Sequence, residues 1–348
     1  LKTDILKINS RNIDKELIKR AADKIKEGGL VAFPTETVYG LGADGLNPEA
    51  VKKIYHAKGR PSDNPLILHV SSLKQLEQVA TDISKTAWKL IDKFWPGPLS
   101  LIFRKKSIVP DNTTCGLKTV AVRMPEHPVA AMLIEYSNTP IAAPSANLSG
   151  KPSTTKGSHV IDDLYGRVDI IIESEDYPHG MESTVLDISD NIPELLRPGA
   201  ITIDSIEAVA GKIKLDKALL KKDKNLIPKS PGQKYRHYSP DAKVILIKSS
   251  PENFSRYVNK EIQQNDSKNI KSAVLCTKTT AKHIHAENLY AKGYHDDYEE
   301  IARDLYDDLR YFDKIKIDIV YFEALNEINL GYTLMNRITK AANEIIVL

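Results

Sequence analysis

The chain has 348 residues, 41% of them hydrophobic and 27% charged, with a formal net charge of +3. That length supports two domains, each burying its own core, and a charge so near balance neither requires nor excludes nucleic acid. The two cysteines, Cys115 and Cys276, lie outside any CxxC or Cys/His spacing, which argues against a disulfide framework or a zinc site and for a reducing cytoplasm.

The opening segment LKTDILKINSRNIDKELIKR carries charges every few residues, unlike a signal peptide, and no run approaches the roughly 20 apolar residues of a membrane helix. Leu17, Ile18, Ala21, Ala22 and Ile25 form a helical stripe over 14–26 that Gly28-Gly29 ends. A strand follows from Leu30 to Phe33, and Pro34 closes it ahead of the polar run Thr35, Glu36, Thr37. Gly40, Gly42 and Gly45 read as a turn, and Asn47-Pro48 as the cap and first residue of a helix ending at Lys58, Gly59 and Arg60. Strands are then expected at Leu66–Val70, Leu99–Phe103, Thr119–Met124, Ile141–Ala143, Val168–Ile172, Ser183–Ile188 and Glu194–Leu196. Helices are expected at Ser72–Val79, Ser84–Phe94 and Val129–Glu135. Strands and helices interleave without strict βαβ order, which predicts an α/β domain over 1–210 with a mixed, twisted sheet.

Nine Lys or Arg against two Asp between Lys212 and Arg236 mark 211–240 as a basic linker, whose far end, SPGQKYRHYSP, sets two tyrosines, an arginine and a histidine between prolines. Aromatics in a linker imply docking. Beyond it, the pattern becomes strand Lys243–Ile247, helix Glu252–Gln263, strand Ala273–Thr277, helix Tyr298–Tyr311, strand Ile317–Glu323 and helix Gly331–Ile345. This is a smaller Rossmann-like parallel α/β domain over 241–348, without a glycine fingerprint.

Gly40-x-Gly42-x-x-Gly45 fits a dinucleotide fingerprint, but Pro34, the polar residues after it, Asp44 and Asn47-Pro48 oppose that reading and favour a tight turn. No GxxxxGK[ST] occurs, so any nucleotide is held without a P-loop. Lys58 and Arg60 serve either the helix dipole or a phosphate, and His69 is either a core histidine or a ligand. Arg123, at the end of a strand of small apolar residues, aims a fixed guanidinium where a carboxylate could dock. Ser145, Asn147, Ser149 and Ser153 are either turn residues or a ring of hydrogen-bonding groups for ribose or phosphate, and Arg197 adds one more fixed cation.

The segments FPTETVYGLGAD, KGRPSDNPLILHV, WPGPLSLIF, VAVRMPEHP, IAAPSANLSGKPS, ESTVLDIS and LLRPGAI, in that order, resemble the YrdC-like threonylcarbamoyl-AMP synthases. The match covers roughly Ile13 to Ile203, and the linker and second α/β domain resemble the two-domain form of that family. The resemblance implies a nucleotidyltransferase that condenses L-threonine, bicarbonate and ATP, with Mg2+ carried by ATP and no metal held by protein side chains. The product, threonylcarbamoyl-adenylate, would pass to a separate transferase for tRNA modification. The competing expectation is a module that binds tRNA or duplex RNA without catalysis; a membrane partner is not expected.

By family motif, Thr35, His69, Arg123, Ala143 and Ser183 would take L-threonine, with Arg123 on the carboxylate and Ala143 acting through its backbone. Lys58, Arg60, Asn64, Thr119, Ser145, Asn147, Ser153, Arg197, Tyr235 and His237 would take ATP. Lys58 and Arg60 would serve the phosphates as catalytic cations, and Tyr235 and His237 would close over the nucleotide. Tyr39 would shape the floor between the ligands, and Thr37 departs from many relatives, which carry a small apolar residue there.

Overall fold

The computed structural model describes residues 1–174, 179–220, 228, 239–285, 290–294 and 297–348. The chain divides into two compact units, one formed by Leu1–Ser149 with Ser153–Tyr235 and the other by Gly150–Pro152 with Arg236–Leu348.

The first unit is built on a twelve-stranded mixed sheet. In chain order its strands are β1 (Asp4–Lys7), β2 (Val31–Phe33), β3 (Gly40–Asp44), β4 (Ile67–His69), β5 (Ala80–Thr81), β6 (Leu99–Lys105), β7 (Thr119–Arg123), β8 (Ile141–Ala142), β9 (Ile170–Glu173), β10 (Thr184–Asp187), β11 (Glu194–Arg197) and β12 (Lys214–Leu215). They lie side by side as β1-β9-β2-β3-β8-β4-β7-β6-β10-β11-β12, with β5 on β6. The helix Lys15–Lys26 forms where the apolar stripe demanded it. Asp14 caps it by accepting the N–H groups of Glu16 and Leu17, and Ile18, Ala21, Ala22 and Ile25 are fully buried. That face shares a core with Val129, Ala130, Leu133 and Ile134 of the helix Pro128–Ser137. Each large aliphatic side chain so buried contributes about 1.5–3 kcal/mol.

Gly40 and Gly42 lie in a strand rather than in the expected turn, whereas Gly45 lies in the turn that follows it. Gly40, Gly42 and Ala43 belong to β3, antiparallel to both β2 and β8. None of Gly40, Gly42 and Gly45 has a positive φ, so backbone freedom is not what they supply. They supply thinness: a Cβ on Gly42 would stand 2.7 Å from both Ile141 Cγ2 and Phe33 Cε1, and one on Gly45 would stand 2.3 Å from Leu68 Cδ2. A run of glycines spaced for a turn is equally a strand squeezed between large neighbours.

The second unit carries a five-stranded all-parallel sheet of β13 (Lys243–Lys248), β14 (Ser272–Thr277), β15 (Tyr290–Tyr294), β16 (Ile319–Glu323) and β17 (Glu344–Val347), ordered β15-β14-β16-β13-β17. The chain therefore adds β15 and β17 to the expected strands, and the last helix stops at Ala341, so that Ile345 lies in β17 rather than in the helix. Glu323, at the end of β16, is buried and accepts the Thr277 N–H at 2.7 Å and the Thr280 hydroxyl at 2.7 Å.

Candidate active site

The candidate residues of the first unit cluster where strands end or begin. β4 and β7 run parallel with His69 opposite Arg123, and β8 lies antiparallel on the other side of β4. The polar run after β2 fills the space beside them. Arg123 Nη1 donates to Thr37 Oγ1 at 2.9 Å, the Thr37 and Thr35 hydroxyls are 2.9 Å apart, and Thr35 donates to the Val38 carbonyl at 2.6 Å. Arg123 Nε donates to the Gly97 carbonyl at 3.2 Å, and Nη2 pairs with Glu36 Oε1 at 2.5 Å. Arg123 and Glu36 are 4% and 3% exposed, so this ion pair lies out of water and screening by salt is weak.

Charge and burial set the protonation states. Burial alone would raise the Glu36 carboxyl, but Arg123, by charge and hydrogen bonding, outweighs it and holds the group below its ordinary value. His69 is pulled down to about 3, first by burial and then by the Arg123 guanidinium. Its imidazole is therefore neutral at pH 7. Nδ1 stands 3.2 Å from the Ile67 carbonyl, and assigning it the proton leaves Nε2 as an acceptor. The ring meets Phe33 edge to face with centroids 6.3 Å apart.

A second group gathers on the loop after β8. The Ala143 N–H donates to the Ile67 carbonyl at 3.0 Å, and Ser145 bridges to Gly40. Lys58 is 2% exposed, and its ammonium donates to the carbonyls of Ser145 and Asn147, while the Ser149 N–H returns a bond to the Lys58 carbonyl at 2.9 Å. The Ser145 hydroxyl donates to Asn147 Oδ1 at 2.5 Å. Lys58 thus holds the shape of this loop. The half-buried Arg60 reaches the carbonyls of Asn64 at 3.2 Å and Pro65 at 3.4 Å, and the buried Asn64 Oδ1 has no hydrogen-bond partner among the described residues.

A third group joins β10, β11 and β6. Arg197 donates to the Ser183 carbonyl from Nε at 3.1 Å and from Nη2 at 2.9 Å, and the Ser183 and Ser100 hydroxyls are 2.8 Å apart. Ser153 donates to Glu182 at 2.6 Å. Thr119 stands apart, at the end of β7 opposite Arg123. Tyr235 and His237 lie outside the described residues.

Several participants were not among the expected site residues. Glu36 and Glu182 were legible only as acids beside hydroxyls, in TET and EST, a weak signal. Ser100 lies in β6 and Gly97 in the turn before it, both within the segment WPGPLSLIF, where nothing marked either one for a site. Tyr39 is fully buried, donates to the Ser174 carbonyl at 2.6 Å and accepts the Ser174 N–H at 3.0 Å.

Residues 23–199 match the Sua5_yciO_yrdC family model, described as "Telomere recombination", and residues 201–343 match that of the threonylcarbamoyl-AMP synthase C-terminal domain. The chain belongs to this YrdC-like family. A threonylcarbamoyl-AMP synthase of Pyrococcus abyssi is 45% identical over 98% of this chain and 98% of its own, and one of Bacillus subtilis is 48% identical over 93% and 92%. The solved structure of P. abyssi Sua5 complexed with L-threonine superposes with a TM-score of 0.92 at 44% identity, covering 99% of each chain. Like that structure, this YrdC-like chain has both domains, and no helix of its described residues is long and apolar enough to cross a membrane.

Proposed function

We propose that the chain is a threonylcarbamoyl-AMP synthase, joining L-threonine, bicarbonate and ATP into threonylcarbamoyl-adenylate with release of pyrophosphate and water. The observation that carries this reading is the buried Arg123 cluster with a neutral His69 beside it. A guanidinium for a carboxylate and hydroxyls with a neutral imidazole for a β-hydroxyl make an inventory suited to threonine. We assign catalysis to 1–210, a basic linker that carries the lid residues Tyr235 and His237 to 211–240, and a Rossmann-like domain to 241–348.

In this scheme Arg123 takes the threonine carboxylate, while Thr35, Ser183 and His69 Nε2 read the hydroxyl and the Ala143 backbone completes the pocket. The threonine amine attacks carbon dioxide or bicarbonate to form a carbamate. A carbamate oxygen then attacks the α-phosphorus of ATP, and the bond to pyrophosphate breaks, so no protein nucleophile is needed. Catalysis is positioning and charge stabilisation. Arg60 and Arg197 face the phosphates with Ser145 and Ser153, Lys58 and Asn147 keep the loop in shape for them, and Asn64 and Thr119 serve the nucleotide. Tyr235 and His237 exclude water from the adenylate. No group of three or more His, Cys, Asp or Glu able to hold a metal occurs among the described residues, and Glu36 and Glu182 are engaged by Arg123 and Ser153. Mg2+ would arrive on the triphosphate, where it would neutralise charge. A downstream transferase that modifies tRNA consumes the product.

The test is ATP turnover with each substrate omitted in turn. Pyrophosphate and the adenylate form only with threonine, bicarbonate and ATP together, and threonine-independent release refutes the proposal. A duplex-RNA module without catalysis gives instead salt-steep RNA binding and no turnover.

A further inference from the structure

Away from the proposed substrate residues, the first unit holds a cleft of about 710 Å³, within the range of small-molecule sites. It opens beyond the carboxyl ends of the parallel strands β1 and β9 and is closed by the start of the helix Gly157–Leu164. Three elements supply cations to it: Lys7 ends β1, Arg11 follows in the next loop, and Lys156 precedes the helix. Among the described residues that line it, one carboxylate, Glu173, opposes them, with Lys7 Nζ 3.8 Å away. The exposed Arg11 has no ion pair among the described residues.

The helix start is arranged for an acceptor. Its N-cap residue is Lys156, which offers no side-chain oxygen, so no side chain caps the leading N–H groups at Gly157 and Ser158. Gly157 is required there, since a Cβ would stand 2.5 Å from Glu173 Cγ, which brings the helix backbone hard against the end of β9. An independent sign comes from Ser174, which also lines the cleft. Its side-chain oxygen is buried and has no hydrogen-bond partner among the described residues. A buried hydroxyl without a partner is destabilising unless something else fills its bonds.

We propose that this cleft is a second oxyanion site, binding a phosphate group through the Gly157 and Ser158 amides, the Ser174 hydroxyl and the Arg11 and Lys156 side chains. Helix amides with flanking cations are the arrangement that phosphate groups select. The phosphate belongs either to a small molecule of nucleotide or pyrophosphate size or to a nucleic-acid backbone. The proposal stands apart from the assigned activity, because none of the residues lining the cleft serves threonine or ATP in the scheme above.

The test follows the backbone amide resonances of the full chain during titration with inorganic phosphate, then with pyrophosphate. Saturable shifts at Gly157, Ser158 and Ser174 are expected. Arg11→Gln, an exposed change that spares the fold, should weaken them about tenfold, the equivalent of one charge-assisted hydrogen bond. Arg60→Ala should leave them intact, which separates this site from the proposed ATP residues. A second arm uses single-stranded RNA of mixed sequence without a terminal phosphate. Shifts of the same amides with RNA assign the site to a phosphodiester backbone, and shifts with the small anions alone assign it to a free phosphate. Amides that do not move with any of these probes, or shifts indifferent to Arg11→Gln, overturn the proposal.

Discussion

His69 gives a prediction whose size follows from its surroundings. Burial and Arg123 lower its imidazole from 6.5 to about 3. Because the folded value lies below the unfolded one, the unfolded chain binds the extra proton between them. The stability contributed by the neutral ring is therefore whole above 6.5 and declines as pH falls toward 3. Moving from pH 7 to pH 5 crosses about 1.5 units of that window, which at about 1.36 kcal/mol per unit removes about 2 kcal/mol. The Glu36 carboxyl, held below its ordinary value of 4.5, loses its contribution only at more acid pH and does not confuse this interval. The assay is urea unfolding at pH 7 and pH 5, followed by tryptophan fluorescence, since Trp88 and Trp95 are the only tryptophans and both lie in the first unit. Wild type should lose about 2 kcal/mol more than His69→Asn over this interval. Equal losses, or an imidazole proton resonance titrating near 6.5, would refute the reasoning.

Other outcomes follow from the same geometry. Arg123→Lys keeps the charge but not the fork that spans Thr37, Glu36 and Gly97, and threonine KM should rise at least tenfold, with ATP binding measured separately unchanged. Gly42→Ala puts a methyl group 2.7 Å from Ile141 and Phe33 and should destabilise the first unit by about 1–3 kcal/mol in urea unfolding. Glu323→Ala leaves the Thr277 N–H and the Thr280 hydroxyl without their acceptor, and the second unit should lose about 1–3 kcal/mol, read by hydrogen exchange in β14 and β16. A chain cut before Ser230 should lose adenylate synthesis, and full activity in that fragment would remove the lid from the scheme.

Much of the fold was legible because apolar periodicity and caps act locally. Asn47 caps its helix as expected, and Asp14 and Ser84, where the pattern began two other helices, cap those. What escaped depends on neighbours distant in sequence. The glycines of β3 carry no strand signal by themselves; Gly42 packs against Phe33 of β2 and Ile141 of β8, and no short window around Gly42 contains both. β1 escaped because its pattern half-exposes a short polar strand that only β9 completes. In the site, Arg123 and His69 could be marked from their strand ends, but their adjacency comes from the parallel register of β4 and β7. Lys58 illustrates the same limit. A lysine at a helix end could be marked as a cation for the helix dipole or a phosphate, but its burial against two carbonyls of a loop nearly ninety positions away could not.

The bond from Glu323 to the ends of β14 and the helix after it has a consequence for ligand chemistry in the second unit. Connections leave β14 toward β15 and leave β16 toward β17, in opposite directions, so the crevice between them is the topological switch point where open α/β sheets usually hold a ligand. Here the chain has put its own carboxylate there. A tethered anion competes at an effective concentration on the order of millimolar or more, so a free phosphate would have to displace a resident that never diffuses away. A ligand reaching this unit by the usual route would need to be a cation or a neutral donor, or to approach a different face.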